Sequence, residues 1–214
     1  MKKTITSCLL CILIVCGCCS AVTIDLNAAD IWQLFPKNTQ GENGIRLQYR
    51  AGASYTDLTY SSDYYWKTLN TAWNVPYFSK DGTIKKIYTH PSAITQIGYD
   101  RDPVMRISLM SALSQVQVTG TAMCESSGTV LMYIYKGAGN YANRIWQATL
   151  TNNSTNFDFT VDFTSGEELF FAVDSGSVDY NDWARWYNVQ LTGLPEPATV
   201  ALLGLGILSL RRRK

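Results

Sequence analysis

Apolar residues recur at every second position, in short runs, along most of this chain. Ile45, Leu47 and Tyr49 alternate with Arg46, Gln48 and Arg50, and Val116 and Val118 alternate with Gln115, Gln117 and Thr119. Val130, Met132 and Ile134 alternate with Leu131, Tyr133 and Tyr135; Phe157, Phe159, Val161 and Phe163 alternate with Asp158, Thr160 and Asp162. A period of two lines up one face of a strand and cannot line up one face of a helix. Further strands are expected at 22–26, 55–60, 84–88, 104–109, 144–150, 169–174 and 186–192, giving ten or eleven in all. Clusters of Gly, Asn, Asp and Ser separate them, such as Gly41-Glu42-Asn43-Gly44 and Gly137-Ala138-Gly139-Asn140. Only Ala28 to Phe35 could form a turn or two of helix. The expected fold is all-β, a single antiparallel β-sandwich of jelly-roll type over residues 22–194.

Charge and cysteine placement narrow the classes further. Six of the 18 basic residues (Lys2, Lys3, Arg211, Arg212, Arg213 and Lys214) sit at the extreme ends, so residues 22–194 carry 12 basic against 16 acidic groups. That mildly acidic body lacks the basic face that phosphate neutralisation requires, which argues against nucleic acid as a partner. Cys8, Cys11, Cys16, Cys18 and Cys19 all precede residue 22, leaving Cys124 alone in the body. No internal disulfide and no cysteine-based zinc site can form there, so the fold has to rest on its apolar core.

Both ends read as membrane signals. Met1-Lys2-Lys3, an apolar run from Leu9 to Cys19 and the small residues Ser20-Ala21 make a secretory signal peptide (1–21), with cleavage by signal peptidase expected after Ala21. Val15-Cys16-Gly17-Cys18 also resembles a lipoprotein signal, in which Cys18 would be lipidated. At the other end, Ala198 to Leu210 are thirteen residues without a charge, followed by Arg211-Arg212-Arg213-Lys214. As a helix this run is roughly 20 Å long, short against a hydrocarbon core of about 30 Å. The terminal cations should stay on the cytoplasmic side, placing the body outside the membrane. A short tail anchor, or an apolar helix packed on the domain, are the alternatives.

Pro195-Glu196-Pro197-Ala198-Thr199, the run containing Leu203-Gly204-Leu205-Gly206 and the basic terminus (195–214) together resemble the PEP-CTERM sorting signal of Gram-negative bacteria. The resemblance implies recognition by an exosortase, a membrane transpeptidase that removes the tail, and delivery to the cell surface, outer membrane or extracellular space, often beside exopolysaccharide production. The body resembles secreted bacterial sandwich modules found next to carbohydrate-active domains, through Gln48-Tyr49-Arg50, Tyr55 to Thr59, His90-Pro91-Ser92, Ser114 to Gly120 and Gly166 to Asp174. Glu167 stands where those modules usually have Asp.

Four chemistries are open to these residues. His90 is the only imidazole, and its place between strands suits a turn that bonds a backbone carbonyl; no G-x-S-x-G elbow accompanies Ser92. A glycosidase needs paired carboxyl groups, one held protonated, and Glu42, Glu125, Glu167 and Glu168 are the glutamates of the body. Asp174, Asp179, Asn181 and Asp182 gather hard oxygen ligands that suit a structural Ca2+ better than zinc or copper, and equally build Asx turns without metal. Aromatics form two dense clusters, Tyr64-Tyr65-Trp66 with Trp73, and Tyr180 with Trp183, Trp186 and Tyr187. Trp66, Trp73, Tyr180 and Trp183 are the candidates for stacking on sugar rings, whereas Trp146 and Trp186 are expected in the core. The resulting expectation is a non-catalytic glycan- or exopolysaccharide-binding surface protein needing no cofactor. A structural matrix or biofilm protein working by protein contacts, and a polysaccharide-degrading enzyme, are the alternatives.

Overall fold

The computed structural model describes residues 22–25, 36, 38–62, 65–68, 75–81, 86–91, 101–108, 113–137, 143–176 and 182–195. Leader residues 1–21 with Cys18, the segment 28–35, and tail residues Glu196, Pro197 and Arg211 to Lys214 lie outside them. Among the described residues no helix is long and apolar enough to cross a membrane.

The described residues form fourteen strands: β1 (Val22–Asp25), β2 (Ile45–Ala51), β3 (Ser54–Asp57), β4 (Thr59–Ser62), β5 (Tyr65–Lys67), β6 (Tyr77–Asp81), β7 (Lys86–His90), β8 (Asp102–Ser108), β9 (Leu113–Cys124), β10 (Thr129–Lys136), β11 (Arg144–Thr151), β12 (Ser154–Phe163), β13 (Glu168–Asp174) and β14 (Ala184–Pro195). They form two sheets with every printed pairing antiparallel, one in the order β12-β9-β14-β7-β6-β5-β4 with β1 also on β14, the other β11-β10-β13-β8-β2-β3. The β-sandwich expected from the alternation is what the chain builds. Two differences from the sequence expectation stand out. The stretch 55–60 is two strands, because the chain changes sheets at Leu58, which is buried and donates its N–H to the Leu47 carbonyl at 3.0 Å. Strands β5 and β6 were not expected, since each buries a single large ring, Trp66 or Phe78, too few for a visible period.

The core lies between the sheets. Trp186 of β14 crosses the gap to Phe171 of β13, edge to face at 5.2 Å and 82°, and Phe157 and Trp146 close around it at 6.0 and 6.2 Å. Trp186 is fully buried, as expected, and Trp146 packs against the cluster from the edge strand β11. Cys124 is a free thiol inside this core. A β-bulge makes the packing of β14 continuous: Asn188 takes φ +55°, a conformation Asn tolerates better than most residues. The ladder to β9 shifts between Tyr187 and Gln190, so the buried positions change from Ala184 and Trp186 to Val189 and Leu191. Gly120 of β9 leaves the room that Phe157 fills; a Cβ there would collide with the edge of the ring.

The six-stranded sheet carries a second apolar cluster on its outer face, among ion pairs such as Arg106–Glu168 and Arg50–Asp102. Val104, Ala172, Phe170, Tyr133 and Tyr135 are buried there. Tyr135 stacks on Phe170 at 5.0 Å and 9°, and its hydroxyl meets that of Tyr55 at 2.9 Å, so two rings from β10 and β3 roof the small residues between them. Burial pushes both phenols above their ordinary pKa of 10.0. A phenol with a raised native pKa contributes stability that is fully present below the unfolded value and is lost as pH climbs past it.

Replacing Gly120 with Ala is expected to lower the free energy of unfolding by about 1–3 kcal/mol through overpacking against Phe157, measured as a shifted urea midpoint at unchanged slope. Stability is expected to fall once pH exceeds about 10. The buried rings should then ionise only as the sandwich unfolds, read by tyrosinate absorbance against circular dichroism.

Candidate functional site

The outward positions of the eight-stranded sheet gather the rings that alternation keeps out of the core. Along β5, β6, β7 and β14, Trp66, Phe78, Ile87, Thr89, Ala184 and Trp186 are buried, while Tyr65, Tyr77, Tyr88, His90, Arg185 and Tyr187 occupy the other face. Register then sets the neighbours: Tyr77 lies opposite His90, and Tyr88 opposite Arg185. Tyr65 contacts Tyr77 at 5.1 Å, Tyr77 contacts His90 at 5.8 Å, and His90 contacts Trp183 at 6.4 Å. Trp183 also meets Tyr88 at 6.4 Å and 87°. The result is a continuous band of five aromatic rings running from β5 to the residue before β14.

Trp183 is the most exposed large apolar side chain of the described residues, at 47%. Its backbone is nevertheless fixed, because its N–H donates to Ser126 Oγ at 3.2 Å and its carbonyl accepts from the Glu125 N–H at 2.9 Å. An exposed ring on an anchored backbone loses little conformational entropy when a ligand covers it. Arg185 sits over Tyr88, 3.6 Å from the ring centroid, and is ion-paired with Glu125. Its side chain is 10% exposed, so only the rim of the stacked guanidinium reaches the aromatic surface. Lys67 adds a cation 5.7 Å from Tyr65. His90 Nδ1 sits 2.6 Å from the Pro91 carbonyl, so that nitrogen carries the proton and donates. This is the backbone role expected of His90, on the last residue of β7. Burial, and then the neighbouring Tyr65 and Tyr88, raise the Tyr77 phenol above its ordinary range, so it stays a neutral hydroxyl at physiological pH.

Trp183 is on the surface, as required of a stacking ring. Trp66 is corrected: it is 2% exposed, faces the core, and donates its indole N–H to the Pro36 carbonyl at 3.0 Å. Its neighbours Tyr65 and Lys67, on the opposite parity of β5, are the outward residues. Trp73 and Tyr180 lie outside the described residues. So do Asp179 and Asn181 of the oxygen-rich segment; Asp174 accepts from the Gly176 N–H at 2.6 Å as an Asx turn, and Asp182 is buried. Among the described residues no group of three or more His, Cys, Asp or Glu side chains is arranged around a metal position. Of the glutamates weighed for acid catalysis, Glu125 pairs with Arg185, Glu168 with Arg106 and Glu167 with Lys136. The Glu167 carboxyl is held below its ordinary pKa, chiefly by the backbone N–H of Thr164, opposite to the shift a general acid needs. The sequence reading missed Tyr77, Tyr88 and Arg185. Their signal was parity relative to Phe78, Ile87 and Trp186.

Strand β14 ends at Pro195, the first residue of the Pro-Glu-Pro element, which is opposite Leu113 of β9. Residues 194–214 match the PEP-CTERM protein-sorting motif, which marks an exported chain that an exosortase sorts. No curated protein matches the sequence. Solved structures with a similar sandwich include the CBM51 from Clostridium perfringens GH95 in complex with methyl-galactose, at 11% identity and TM-score 0.38 over 67% of this chain and 99% of that one. A family 29 carbohydrate-binding module complexed with mannohexaose aligns at 11% identity and TM-score 0.41, over 81% of this chain and 92% of that one. The enzymatically active domain of bacteriophage CBA120 tailspike protein 4 aligns at 14% identity and TM-score 0.34, over 75% of this chain and 21% of that one.

Trp66→Ala is expected to cost about 3–5 kcal/mol of stability by emptying a core position, whereas Trp183→Ala should change it by no more than about 0.5 kcal/mol. Parallel denaturant titrations of the two variants check this.

Proposed function

We propose that the protein is an exported, non-catalytic glycan-binding module whose binding surface is the aromatic band on the eight-stranded sheet, and that its PEP-CTERM tail delivers it to the cell surface or extracellular matrix. The observation carrying this reading is Trp183, a ring 47% exposed on a pinned backbone and continuous with His90, Tyr77, Tyr88 and Tyr65. Sugar rings present apolar C–H faces and polar rims. A band of rings spaced 5.1–6.4 Å apart, bordered by Arg185, Lys67 and neutral tyrosine hydroxyls, offers a complement to both over several consecutive sugar units. Exopolysaccharide is the ligand class that fits an exported chain with an extended band rather than a deep pocket. Exosortase and signal peptidase are the partners of the export stage. Hydrolysis is disfavoured by the ion-paired state of Glu125, Glu167 and Glu168. Assembly through strand addition is disfavoured at the long edge strand β12, where Asp158 and Asp162 stand exposed along the outer row as charges that discourage edge pairing.

Glycan-array and affinity-electrophoresis measurements test the assignment. Trp183→Ala and Tyr88→Ala are each expected to weaken polysaccharide binding about tenfold or more, equivalent to about 1.4 kcal/mol, with the fold intact. Absence of affinity for any polysaccharide, or affinity indifferent to both substitutions, would exclude this surface.

A further inference from the structure

Strand β14 joins the aromatic band to the sorting motif. Trp183 immediately precedes its first residue and Pro195 is its last. Its 12 residues, at about 3.3 Å each, set the two roughly 40 Å apart on a strand held inside a sheet. Beside its far end runs β1, antiparallel, with Val22 opposite Gly193. The apolar leader is covalently joined to Val22, and only Glu196 and Pro197 separate Pro195 from the apolar tail. Both membrane-seeking segments therefore meet the folded body at adjacent rungs of one sheet end. A connection of two residues spans at most about 11 Å from Pro195 to Ala198. That is too short for a body of this length to turn over on its tether.

We infer that, until its tail is removed, the sandwich stands end-on on the bilayer, with the Val22, Leu113 and Pro195 end against the lipid headgroups and the Trp183 end presented outward. The lipid-facing end carries Asp162, whose carboxylate accepts the Gln115 N–H at 2.7 Å, the exposed Thr164, and the Lys136–Glu167 ion pair at 3.1 Å. The Lys136–Glu167 pair is neutral as a unit, which leaves the Asp162 carboxylate as the net charge of these groups, and salt at 0.1 M screens it over about 10 Å. The opposite end, at the β9–β10 turn, carries Ser126 and the exposed Ser127 beside Trp183. This orientation rests on the sorting motif and on strand register. It is independent of the glycan reading, so either can fail without the other.

Full-length precursor in phosphatidylethanolamine–phosphatidylglycerol vesicles provides the test, with Thr164→Cys or Ser127→Cys labelled by a fluorophore and a quencher attached to the lipid. Signal from the unsubstituted precursor, which has its own leader cysteines, is subtracted. The label at 164 is expected to be quenched several-fold more than the label at 127. Equal quenching, or the reverse order, overturns the inference. In a chain whose leader has been removed after Ala21, so that the tail is the one remaining tether, a Gly/Ser spacer of about fifteen residues after Pro197 is expected to abolish the difference. A difference that survives the spacer would also overturn it, by showing that the short connection does not set the orientation.

Discussion

The contact on which the rest of this molecule depends is the edge-to-face meeting of Trp186 and Phe171 across the gap between the sheets. With Cys124 the one thiol of the body and reduced within the core, no covalent staple joins the two layers. Cohesion must come from apolar area and ring geometry, and the Trp186, Phe157, Trp146 and Phe171 cluster contributes to both. The cluster has structural demands of its own. Gly120 must lack a side chain so that Phe157 can lie down, and Asn188 must enter the left-handed region so that Val189 and Leu191 follow Trp186 inward.

The outward face is the by-product of the same arrangement. Once Trp186 points inward, Arg185 and Tyr187 must point outward, and the register of β14 on β7 lays Tyr88 against Arg185. Once Phe78 points inward, Tyr77 must face His90. The aromatic band is therefore positioned by the core through strand parity, and the rigidity of one is inherited by the other. Among the described residues the loop contribution is Trp183, and even there the backbone is tied to the β9–β10 turn.

Much of this was legible in the amino-acid order. The alternation over β2, β9, β10 and β12 gave the sandwich, and the separation of Cys124 from the leader cysteines gave a disulfide-free interior. What escaped was whatever period two cannot encode over a few residues. Strands β5 and β6 present one buried ring apiece, so Trp66 read as a loop residue although the sheet turns it inward. The split at Leu58 is invisible because a strand that leaves one sheet for the other keeps its alternation while changing its partners. The band itself joins residues from β5, β6, β7 and β14, and only pairing register, which a single sequence does not reveal, brings Tyr65 and Trp183 onto one surface.

The roof formed by Tyr55 and Tyr135 over the six-stranded sheet has a consequence for how that sheet keeps its edge. Tyr55 belongs to β3, the edge of that sheet, whereas Tyr135 belongs to β10, on the far side of β2, β8 and β13. The two hydroxyls therefore act as a clasp across three strands, and the edge cannot peel away without first undoing a contact made near the opposite margin.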